Sequence, residues 1–191
     1  MFKHVTDHSR VRINYRYVLA LSMVLLVALL SACAPSAETI STADRIAIYE
    51  AVIRQLQGPD DTFGGTLEKP TIYIVSSTDD QVGDPSYEGS ASQILSNEVQ
   101  AGITSALADL PSRIVWVENF EDVPRDPETG SVVGGGVIIT LGNIQMESRD
   151  KVLVPGSIYI ANLAAGGATY VVEKEDGQWV VTGTTGPRWI S

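Results

Sequence analysis

The sequence predicts an α+β fold: two helices packed on a mixed sheet, with one βαβ unit followed by an antiparallel meander. Three observations support this. Apolar residues recur at helical spacing over 41–57 and again over 90–110. Five-residue apolar runs stand on either side of the second stretch, at 71–75 and 113–117. Beyond residue 136, strand-like runs follow one another with only short turns between them.

Each element has a local reason. Ser41 is a helix N-cap with Asp44 three residues on, and Ile46, Tyr49, Val52, Ile53 and Leu56 then repeat on one face until Gly58-Pro59 stops the helix. Pro70 leads into Thr71–Val75, apolar on both faces, as a strand covered on both sides must be. Ser90 and Gln93 form a second capping pair. Leu95, Val99, Ile103, Ala106 and Leu110 supply the buried stripe, and Pro111 ends it. Arg113–Val117 is the next strand, so strand, helix and strand imply parallel pairing. Val137–Leu141, Lys151–Ile160, Ala168–Glu173 and Trp179–Thr182 are the meander strands. Ala164-Ala-Gly-Gly167 reads as one hairpin loop and Asp176-Gly177 as another.

The amino-terminal segment has a different character. Lys3, Arg10, Arg12 and Arg16 stand against one acid, Asp7, and residues 17–30 carry no charge. That is the layout of a secretory signal peptide, and the apolar run is shorter than the roughly 20 residues of a spanning helix. It closes on Leu30-Ser31-Ala32-Cys33, which resembles the lipobox of bacterial lipoproteins. The resemblance implies cleavage before Cys33 and acylation there. Residues 1–32 are then a lipoprotein signal peptide, 33–41 a lipidated linker and 42–191 a single α+β domain. It also implies a membrane-anchored, extracytoplasmic location, in the cell membrane or outer membrane. Each buried methylene contributes about 0.8 kcal/mol, so two or three chains hold the protein stably.

Removal of the leader takes away four bases, one acid, and both His4 and His8. The remaining 159 residues carry 9 Lys+Arg against 22 Asp+Glu, a net of −13. Such a balance argues against nucleic acid as a partner, because phosphate binding needs clustered cations. With no histidine and the one cysteine acylated, Ser-His-Asp, Cys-His and the usual zinc chemistries lack their groups. The common nucleotide-binding glycine motifs do not occur. Asp-Gly-Gln-Trp179-Val-Val181 is similar to the last hairpin of some nuclear-transport-factor-2-like proteins. The mature chain as a whole resembles uncharacterised lipoproteins of unknown function, and neither resemblance implies an active site.

The expected site follows from topology. Loops after two neighbouring parallel strands leave one edge of the sheet, where open α/β sheets bind ligands. Those loops carry Asp79, Asp80 and Asp84 after the first strand, and Glu118, Glu121 and Asp122 after the second. Hard cations take several oxygen ligands, so these six are candidate metal ligands, with Ca²⁺ the candidate ion. The competing expectation is that both loops are simply solvated. Asp126–Gly130 reads as a turn, the Trp and Tyr residues as core before pocket, and Lys69, Lys151 and Lys174 as solvated. Two functions stay open. One is a non-catalytic binding or interaction module for an envelope protein or small ligand. The other is a carboxylate-dependent envelope hydrolase using Asp79, Asp80, Glu118 and Glu121, or a cation-binding protein.

Overall fold

Helix α1 (Thr42–Gln57) begins where the sequence places it, with the Ser41 hydroxyl accepting from the Asp44 N–H at 3.0 Å. The computed structural model describes residues 40–88 and 91–191, so the leader, Cys33 and Ser90 lie outside the described residues. Ile40–Ser191 forms one unit. The other elements are β1 (Thr71–Val75), α2 (Asn97–Ala106), β2 (Arg113–Val117), β3 (Val137–Leu141), β4 (Gln145–Ser148), β5 (Lys151–Ala161), β6 (Ala164–Glu175) and β7 (Gln178–Ile190).

All seven strands form one mixed sheet in the order β2-β1-β3-β5-β6-β7, with β4 beside β5. Strands β1 and β2 pair in parallel around α2, as the strand–helix–strand order requires. Strand β3 joins the two halves, parallel to β1 and antiparallel to β5. From there β5, β6 and β7 form the antiparallel meander. Strands β3 and β4 share one edge of β5 end to end. Between them, the Gly142 N–H donates to the Pro155 carbonyl and the Tyr49 hydroxyl to the Gly142 carbonyl. Burial pushes that phenol up to about 12.

Alternation along the strands divides the core between two faces. Ile72, Ile74, Val137, Ile139 and Leu141 meet α1 and α2 through Tyr49, Val52, Ile53, Val99 and Ile103. The opposite face packs Val75 and Ile138 against Val123 and Val132 of the β2–β3 connection. This double cover explains why the β1 run is apolar throughout. The helices approach closely at Gly102, where an added Cβ would stand 2.2 Å from the tip of Ile46. Arg54 joins them from the side, donating to the Ala106 carbonyl and to both oxygens of Asp109.

Tertiary pairing overrides three local expectations. Helix α2 starts at Asn97 with Ser96 as its cap, not at Ser90. The preceding residues pair instead with the chain after β1, through Thr78 N–H to the Gln93 carbonyl and Leu95 N–H to the Ser76 carbonyl. The helix also stops at Ala106, short of Leu110. Gly166 and Gly167 are not a hairpin loop but lie inside β6, and β6 and β7 run well past their expected ends.

Lys69 is a further correction. It is buried, and its ammonium donates to Asp61 at 2.5 Å and to the Leu67 carbonyl at 2.9 Å. Burial pushes the Asp61 carboxyl up, but Lys69 and the N–H groups of Gly65 and Phe63 outweigh it and hold the group below its ordinary value. Lys151 and Lys174 also have partners, Glu173 at 3.4 Å and Asp44 at 3.0 Å, in partly exposed pairs.

Candidate functional site: a crevice at the carboxyl ends of the parallel strands

The site arises from how the chain leaves β1 and β2. After β1 it crosses the face that carries Ile72 and Ile74, as α2. After β2 it crosses the opposite face, where Val123 and Val132 pack, and enters β3 on the far side of β1. Neighbouring strands whose connections part to opposite faces leave a crevice between their carboxyl ends.

That crevice has a volume of about 510 Å³. Ser77, Asp79, Gln81 and Val82 come from the segment after β1, and Asn119, Phe120 and Glu121 from the segment after β2. Its floor is the face of the sheet away from the helices: Val75, Thr140, Ser157 and Tyr159, with Trp189 of β7 at one side. Thr140 and Ser157 stand opposite each other in the β3–β5 register, so their side chains share that face. A second hollow of about 560 Å³ opens on the helix side, between Ile94, Asn97, Gln100, Trp116 and Glu118. Ser77 and Asn119 border both.

Internal bonds hold the walls. Asp79 Oδ1 accepts from the Gln81 N–H at 2.9 Å, starting a short 3-10 turn over Asp80–Val82. Asp80 turns inward at 3% exposure and accepts from Asn143 through its backbone N–H at 2.6 Å and its Nδ2 at 3.2 Å. Thr78 completes this knot, donating to Asn143 Oδ1 and accepting from the Gln93 N–H. Trp189 Nε1 donates to the Val82 carbonyl. On the other wall, Phe120 and Tyr159 meet edge to face at 5.0 Å, and the Tyr159 hydroxyl donates to the Gly130 carbonyl.

By contrast, the hydroxyls of Ser77, Thr140 and Ser157 and the carboxylate of Glu121 have no hydrogen-bond partner among the described residues. Polar groups lining a concave site without internal partners are open to water or to a ligand. Three aliphatic hydroxyls, two carboxylates, two amides and three aromatic side chains suit a small polar ligand with an apolar face. Both carboxylates of the crevice, Asp79 and Glu121, are exposed, and Asp79 accepts from the Gln81 N–H.

The six acidic candidates therefore divide. Asp79 and Glu121 line one crevice from its two walls, and Glu118 faces the helix-side hollow. Asp80 is bound to Asn143, while Asp84 accepts from Ser86 and Asp122 from the Asn119 N–H. No group of three or more His, Cys, Asp or Glu among the described residues is arranged to hold a metal ion. Asp126 holds the turn expected of it, and N–H bonds from Thr129 and Glu128 lower its carboxyl. Sequence reasoning missed Ser77, Thr140 and Ser157, and placed Trp189 and Tyr159 in the core before a pocket. Hydroxyl residues in a strand carry no signal until the sheet assigns them a face. Among the aromatics, Tyr170 belongs to the core, whereas Tyr159 and Trp189 border the crevice.

No protein-family model matches the chain, and no curated protein or solved structure matches it.

Proposed function

We propose that this protein is a lipid-anchored, extracytoplasmic binding module that holds a small hydroxylated ligand in the crevice at the carboxyl ends of β1 and β2. One observation carries the reading. Ser77, Thr140 and Ser157 present unpartnered hydroxyls in one crevice, at the place where this topology opens a site. The lipobox resemblance at Leu30–Cys33 supports the anchoring, and the absence of histidine after residue 8 supports binding over catalysis.

The test uses the full chain in detergent micelles. Thermal melting is followed with hexoses, hexuronic acids and inositol at millimolar concentration. A rise in melting temperature that disappears in Thr140→Val and Ser157→Ala supports the reading, and no rise with any of them rules it out. In a bacterial host fed a radiolabelled fatty acid, the wild type should carry the label and Cys33→Ala should not. Label on the Cys33→Ala chain would show that the anchor is not at Cys33.

A carboxylate-dependent hydrolase is the second reading, favoured because Asp79 and Glu121 line a single crevice. It requires cleavage of a glycan substrate by the wild type and its loss in both Asp79→Asn and Glu121→Gln. Calcium binding is separable from both. A millimolar calcium titration that leaves the melting temperature unchanged would end it.

A further inference from the structure

The two hollows meet at the carboxyl ends of β1 and β2. Ser77 and Asn119 border both, so the crevice and the helix-side hollow open side by side across one rim. Their volumes, about 510 and 560 Å³, each lie in the range of roughly 300–1,000 Å³ that holds one small molecule. A ligand long enough to cross the rim at Ser77 and Asn119 fills both.

The helix-side hollow is held in shape as the crevice is. Trp116 Nε1 donates to the Thr104 hydroxyl at 2.9 Å, which fixes the plane of its ring. Ile94 pairs with Ser77 through the backbone, and its side chain is 81% exposed. Ring and side chain together give apolar surface to a hollow otherwise bordered by Asn97, Gln100, Glu118 and Asn119. Across the rim, Ser157 is 9% exposed and lines the crevice with a hydroxyl that has no partner.

Both linings combine amides, hydroxyls and carboxylates with aromatic rings. The polar groups exchange hydrogen bonds with sugar hydroxyls, and the rings cover the apolar faces of the sugars. Asp79 and Glu121 border the crevice and Glu118 the hollow, whereas no Lys or Arg lines either. Arg125 stacks on the ring of Phe120 but does not line the crevice. An anionic chain is therefore repelled, and a neutral one is not. A peptide that adds as a strand needs a free sheet edge, and β1 has both of its edges taken by β2 and β3.

We propose that the crevice and the helix-side hollow form one groove for a neutral oligosaccharide. One sugar lies against Thr140 and Ser157, and the next lies against Trp116 and Ile94. This rests on the reading of the crevice as a binding site. Affinity then rises with the length of the glycan.

The experiment is calorimetry on the full chain in a detergent without a sugar headgroup. The probes are glucose and cellotetraose, N-acetylglucosamine and its chitin tetramer, tetragalacturonic acid, and tetraalanine. One neutral tetramer should bind more than about tenfold more tightly than its own monomer. Ile94→Ser combined with Glu118→Ala should bring that tetramer to the level of the monomer and leave the monomer unchanged. Both residues are exposed, so the variant keeps its fold. If monomer and tetramer bind alike, or the double variant leaves the tetramer unchanged, the shared groove is overturned. Tighter binding of tetragalacturonic acid or tetraalanine than of either neutral tetramer overturns the ligand class. In each of these cases the crevice reading still stands if Thr140→Val and Ser157→Ala weaken the monosaccharide. Should no sugar bind, both inferences fall.

Discussion

The indole N–H of Trp189 donates to the carbonyl of Val82 at 2.9 Å, and the two groups meet over Gly167. A Cβ added at Gly167 would stand 2.1 Å from the Val82 oxygen and 2.6 Å from the indole nitrogen. The last strand is thereby tied to the segment that forms one wall of the crevice, and the tie exists only because β6 has no side chain there. Gly167→Ala should lower stability by about 1–3 kcal/mol through overpacking, measured by urea unfolding. Gly183→Ala is the control, since a Cβ added there would have no atom within 4 Å. Its change should stay within about 0.5 kcal/mol. Equal effects at the two glycines would remove the steric argument.

Lys69 and Asp61 are the most deeply buried ion pair described, with side chains 3% and 0% exposed. Removing one member of such a pair strands the other without water. Lys69→Met should therefore cost about 3–5 kcal/mol, and Lys69→Met with Asp61→Asn should recover part of that loss. Urea midpoints of Lys69→Met, Asp61→Asn and the double variant decide it. A double variant as unstable as the sum of the singles would show that the pair is not coupled.

Asp44 ties the start of α1 to the β6–β7 hairpin. It accepts from Ser41, Trp179 and Lys174, and these bonds hold its carboxyl at about 2. Because the folded value lies below the ordinary 3.8, the stabilisation is fully present above about pH 5 and is lost as pH falls toward 2. Asp61, also lowered, acts in the same direction. Melting temperature should fall between pH 5 and pH 2.5, and less steeply in Asp44→Asn. An identical slope in wild type and variant would exclude Asp44 as a source of the acid sensitivity.

Much of the fold was legible in the sequence because it rests on short-range periodicity. Helix α1, strands β1, β2 and β3, and the Asp176-Gly177 turn stand where their caps and alternation place them. Strand β4 gave no clear signal, since Met146, its one large apolar side chain, is exposed. The start of α2 was misplaced because capping is a local preference, and bonds to Ser76 and Thr78 outweigh it. Of the candidate site, the edge of the sheet was legible from the strand–helix–strand order, and with it Asp79 and Glu121. Which acids face the crevice was not legible, because adjacent loop residues such as Asp79 and Asp80 point opposite ways.

Composition and order alone determined the acidic balance, the absence of histidine after residue 8, the lipobox resemblance, the α+β class and the edge of the sheet that carries the crevice. These are properties of the chain or of contacts between near neighbours. Tertiary structure decided the rest. It set Thr140 opposite Ser157, brought Trp189 over Gly167 to Val82, and buried Lys69 against Asp61. It also stacked Arg125 on the ring of Phe120. Each of these depends on which face a strand presents and which distant segment covers it. No local pattern encodes that, because the free energy that selects it comes from burial across the whole sheet.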